Sequence, residues 1–152
     1  MYMVRTMLIS LFIMLVSNPQ STLSGDLAAA KQALREAVRV ADTIPNEYVR
    51  ENVLHDLAVA EVSAHDLTTA LEIASEIRRQ GDRDLTLLDM TARQAILNQI
   101  HDARHTASRI VNVSDRAAAM ESIALAQLEG GDQTSALNTT NRFLQKSSEV
   151  GP

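Results

Sequence analysis

Alanine recurs at Ala37, Ala70, Ala103 and Ala136 with a constant 33-residue interval, and this spacing constrains the fold more than any other feature of the chain. Two further tracks keep the same interval: Ala41, Ala74, Ala107 and Thr140, and Ile44, Ile77, Ile110 and Phe143. These tracks lie four and three residues apart, which puts them on one face of a helix. A second group repeats alongside: Leu54, Leu87 and Met120; Leu57, Met90 and Ile123; Ala58, Thr91 and Ala124; Glu61, Gln94 and Gln127. Its members have the same helical spacing, so each interval holds two amphipathic helices. Neither helix pair can bury its apolar face alone, and stacking on a neighbour is the economical solution.

Turn-forming residues fall between the faces: Pro45 and Asn46, His65 and Asp66, Gly81 and Asp82, Asn112 to Asp115, and Gly130 to Asp132. Asp66, Asp82, Ser114 and Asp132 suit N-caps, their oxygens accepting from free amides of the following helix, and Gly81 and Gly131 suit the left-handed residue that closes the preceding one. The pattern predicts helices over 25–43, 47–63, 66–79, 83–98, 100–112, 115–129 and 133–146. The expected architecture is all-α: a right-handed α-solenoid of antiparallel helical hairpins with a 33-residue repeat, about three and a half units over 25–146, and a disordered tail over 147–152. Small residues such as Ala58 and Ala70, twelve apart across a turn, let paired helices approach closely. Polar Asn138, Thr139, Thr140 and Asn141 suit a capping helix at the end of the stack. A β-sandwich or barrel is disfavoured by 3% aromatics and only five Gly and three Pro.

Residues 1–24 read as a separate object. Arg5 precedes an apolar run from Met7 to Val16, then a polar stretch containing Pro19, which is the plan of a secretory signal peptide. The run is about half of the roughly 20 residues that span a bilayer, so export to the periplasm or the exterior is expected, with membrane attachment only if the segment stays uncleaved. Losing it would make the remainder one charge more negative than the -5 of the whole chain. That charge gives no bulk attraction to nucleic acid or anionic membranes, and the absence of Cys excludes a disulfide framework, a thiolate metal site and a cysteine nucleophile.

The hairpins resemble tetratricopeptide repeats, and more closely the TPR-like repeats of bacterial proteins. Arg116-Ala-Ala-Ala-Met-Glu-Ser-Ile-Ala-Leu-Ala-Gln-Leu-Glu-Gly-Gly-Asp-Gln-Thr-Ser-Ala-Leu, followed by Thr140 and Phe143, carries the likeness best, and it extends over about residues 33–143. The early Trp and the terminal Pro of such repeats are missing here. The resemblance implies binding of a protein or peptide on a concave surface lined by the first helix of each pair, without catalysis and without a cofactor.

On that arrangement the groove-lining positions are Asn52, His55, Val59 and Val62; Leu85, Leu88, Ala92 and Ala95; and Ala118, Glu121, Leu125 and Leu128. Val, Leu and Ala dominate them, which reads equally as a helix-in-groove or extended-peptide site and as core between units, since a short solenoid buries more of its inner wall. Arg50, Arg83 and Arg116 recur at the same interval as the alanines, in the first turn of each first helix. They read either as cations for a partner's carboxylates or, preferably, as ligands of the preceding helix's terminal carbonyls or a nearby acid. His101 and His105 stand at i, i+4, the spacing of a helical metal site, but the apolar track of that helix is Ala103, Ala107 and Ile110, so both imidazoles are expected in solvent. Asp82, Asp84 and Asp89 read as helix-start acids rather than catalytic groups. The leading expectation is an exported, non-enzymatic interaction module; a metal-binding protein or metal-dependent enzyme using His101 and His105, and a self-assembling homo-oligomeric solenoid, are the alternatives.

Overall fold

The computed structural model describes residues 23–148, with side chains described over 28–142. Seven helices and no strand occur among the described residues: α1 (Leu23–Ala41), α2 (Glu47–Ser63), α3 (Leu67–Glu76), α4 (Gln80–Ile96), α5 (Ile100–Ala107), α6 (Val113–Glu129) and α7 (Gln133–Ser148). The protein is all-α. The chain divides into two compact units after Thr43. The predicted export segment lies outside the described residues, except that Leu23 and Ser24 open α1; no helix among the described residues is long and apolar enough to cross a membrane.

In the first unit, α1 buries Leu34, Ala37 and Ala41, spaced as one helical stripe. Its exposed side carries the Arg39–Glu36 pair at 2.7 Å, which holds the Glu36 carboxyl below its usual range through the guanidinium hydrogen bond.

In the second unit, α2 packs on α3 and α4, α4 on α5 and α6, and α6 on α5 and α7. The periodic residues supply this packing: Leu54, Leu57 and Ala58 of α2, Leu87, Met90 and Thr91 of α4, and Ile123 and Ala124 of α6 are buried, as are Ala70, Ala74, Ala103, Ala107 and Ala136 opposite them. Where helices meet through alanines and threonines their axes can approach closely, and a larger side chain would have no room.

Three-residue turns fold α2 onto α3, α4 onto α5 and α6 onto α7, and the same bonds close each of them. In the first, the His65 amide donates to Val62 O and the Asp66 amide to Glu61 O; Asn98 to Ala95 and Gln99 to Gln94 do the same in the second, and Gly131 to Leu128 and Asp132 to Gln127 in the third. This is the paired closure that needs a left-handed residue just past the helix. His65, Asn98 and Gly131 supply it, with φ of 59°, 58° and 82°.

Several boundaries differ from expectation. Gly81 lies in the first turn of α4 and carries no positive φ, because α3 stops at Glu76 and the buried Ile77 begins an extended link. Asp82 is therefore not the cap of α4; Arg79 holds that position, without a side-chain hydrogen bond. Asn112, not Ser114, caps α6, its Oδ1 accepting from Ser114 and Asp115 amides. Asp66 and Asp132 cap as predicted, taking the Thr69 and Ser135 amides. Helix α5 ends at Ala107, and α7 continues to Ser148, two residues into the expected tail, whose last four residues lie outside the described ones. Thr140 is exposed, and the neighbouring Thr139 is the buried member of its turn.

Two carboxylates bind the links that leave α3 and α5. Glu51 Oε1 accepts the Arg78 amide at 3.1 Å. Asp84 accepts the Val111 amide at 3.0 Å through Oδ1 and the Asn112 amide at 2.9 Å through Oδ2, and its Oδ1 also takes Gln80 Nε2 at 2.9 Å. Both acids are buried, so Asp84 is a structural acceptor rather than a helix-start charge.

Candidate partner-binding face

The outward sides of α2, α4 and α6 form the candidate site. The orientation follows from contacts between neighbours: His55 Nδ1 of α2 meets Thr86 Oγ1 of α4 at 3.1 Å, its Nε2 lies 3.4 Å from Asp89 Oδ2, and Arg93 Nε donates to Ser63 Oγ at 3.1 Å. One edge of α2 is thereby held against α4, while Asn52 on the same helix is exposed.

Of the predicted residues, Asn52 and Glu121 are exposed, His55, Val59, Leu88, Ala92 and Ala118 are half-buried, and Leu85 and Leu125 are each 51% exposed. Val62 and Ala95 do not belong to this surface. They are 1% and 3% exposed and so belong to the core. Leu128, the counterpart of Ala95 one interval later in the sequence, is 48% exposed, since α6 is the last described helix of its layer.

The sequence reading missed Tyr48, Ile96 and Asp89, all exposed on the same sides. The signal was present: Leu85, Asp89, Ala92 and Ile96 step along α4 at four, three and four residues, and Tyr48 lies one turn before Asn52.

The repeated arginines split. Arg116 Nη1 donates to Ile110 O at 3.1 Å, a carbonyl of the link three residues past α5 rather than of the helix end itself. The buried Arg50 lies 3.6 Å from Glu51 Oε1, the nearby acid of the same expectation, whereas Arg83 Nη2 donates to Gln80 Oε1 at 2.8 Å and fits neither form of it. These three side chains lie at helix starts and are not aligned on the open face.

The opposite layer is different in kind. A groove of about 350 Å³ between α3 and the end of α5 is lined by Leu71, Glu72, Ser75, His105 and Arg109 among others. The His101 imidazole is almost wholly in solvent, 3.3 Å from Asp102 Oδ1. No group of three or more His, Cys, Asp or Glu among the described residues is arranged to hold a metal.

The chain matches no family model, no curated protein and no solved structure.

Proposed function

We propose that this protein is an exported, non-enzymatic interaction module that holds a partner protein or peptide on the face made by α2, α4 and α6. The scaffold is read as a right-handed α-solenoid of about three and a half 33-residue hairpins, similar to TPR-like repeats. What supports the scaffold is the recurrence, at that interval, of the turn closures at His65, Asn98 and Gly131 and of the carboxylate links at Glu51 and Asp84. What supports export is the sequence alone, through Arg5 and the Met7 to Val16 run.

The observation that carries the binding reading is that Leu85 and Leu125, on two helices packed side by side, are both half out of the protein. Apolar side chains grouped in this way on a rigid surface are the usual mark of an interaction site. A photo-crosslinker placed at Leu85 or Leu125 in the native host should yield a discrete adduct that one at His101 does not. Leu88→Asp with Leu125→Asp should abolish the adduct formed from Leu85 while circular dichroism stays helical. Equal labelling from His101, or an adduct indifferent to the two charges, would reject this face.

A further inference from the structure

Two exposed leucines of the face, Leu85 and Leu125, have an acid one helical turn away. Leu85 has Asp89 at i+4, and Leu125 lies between Glu121 at i−4 and Glu129 at i+4, all three acids being exposed. Arg93 is the face's one arginine among the described residues and is already bonded to Ser63, while the His55 imidazole lies 3.4 Å from Asp89. The helices of the other layer are balanced, with Arg104, Arg142 and Lys146 against Glu72, Glu76 and Asp102. On this face, among the described residues, exposed acids thus stand beside exposed leucines.

Resting on the binding reading above, we infer that the occupant is a cationic amphipathic helix of another protein. Its apolar side chains cover Leu85, Leu88 and Leu125, and its Lys or Arg side chains meet Asp89, Glu121 and Glu129. A neutral apolar segment would strip water from these carboxylates and give nothing back. An acidic segment would add like charges to the same cost. A second copy docked symmetrically would set the same acids against each other, and an anionic lipid surface is repelled for the same reason.

The test uses the full chain and fluorescent helical peptides about 18 residues long, built from Leu and Lys or from Leu and Glu in one amphipathic pattern. The Leu/Lys peptide should bind at least about tenfold more tightly than the Leu/Glu peptide, and its affinity should fall with salt. Glu121→Lys with Glu129→Lys should erase or invert that preference. Leu85→Ser with Leu125→Ser should weaken Leu/Lys binding by about tenfold or more with helicity unchanged. If Leu/Glu binds as well and still depends on Leu85 and Leu125, the cationic partner falls and the binding face stands. If Leu/Lys binding ignores both serine substitutions, it is adsorption to an acidic protein, and the face falls too. A dimer in sedimentation that the two lysine substitutions alter makes the occupant a second copy and overturns the inference.

Discussion

Asp84 Oδ2 accepts the Asn112 amide at 2.9 Å, and Asn112 in turn caps α6 with its own Oδ1, so one buried carboxylate fixes the start of the next helix pair. Glu51, at the corresponding position one interval earlier in the sequence, does the equivalent for the Arg78 amide. Ala117 stands where a third acid would be, and there Leu144 and Gln145, the counterparts of Val111 and Asn112, lie within α7 rather than in a link.

Asp84→Ala should therefore destabilise the fold by about 2 kcal/mol, because it takes the carboxylate away from two part-buried backbone amides. Glu51→Ala, with one such amide, should cost less. Urea titrations of both variants check the order, and an equal or negligible loss would show that the links are held by other contacts.

Val62 and Leu128 occupy corresponding positions on α2 and α6 but differ in burial, 1% against 48%. Val62→Asp should unfold or cripple the second unit, at about 3 kcal/mol or more, whereas Leu128→Asp should stay within about 0.5 kcal/mol of the parent. Thermal melts distinguish them.

The left-handed turn residues give a test of opposite sign. Asn98→Gly should be neutral or stabilising by about 0.5 kcal/mol, while Gly131→Ala should cost about 1 kcal/mol. A Cβ at Gly131 would meet nothing within 4 Å, so any loss there comes from the backbone conformation alone.

Ala107 is fully buried at a helix contact, and Ala92 is half-buried on the open face. Ala107→Leu should cost about 1–3 kcal/mol through overpacking, and Ala92→Leu much less. Equal shifts in melting temperature would contradict the assigned faces.

Asp132 caps α7 and its carboxyl is held below the usual range by the Ser135 hydroxyl and, secondarily, the Ser135 amide. Because the folded value is lowered, the cap's contribution is full at neutral pH and fades as pH falls through the ordinary carboxylate range and then through the folded value. The melting-temperature gap between the parent and Asp132→Ala should narrow on acidification over that window.

Much of this fold was legible in the sequence because core contacts repeat residue types: alanine at 70, 103 and 136 can be seen without any structure. The range of α2 was predicted as found. The links were not legible, since Glu51 and Asp84 differ in type, have no third member, and act through backbone amides that leave no side-chain trace. The left-handed positions were hidden in the same way, as His65 and Asn98 do in two turns what only Gly131 announces. Among the site residues, helical spacing grouped the positions along each helix without showing which of them the core takes, and it takes Val62 and Ala95.

The side-chain bonds that join separate helices here reach only a short way along the chain: 27 residues for Glu51, 31 for His55 and 35 for the Arg104 to Thr139 bond. Positional information is thus never carried far, which favours rapid folding. During synthesis, a nascent chain that has released α2 to α4 already holds every residue that Glu51 and His55 are seen to bond, so α2 and α3 can be set in place while α7 is still being made.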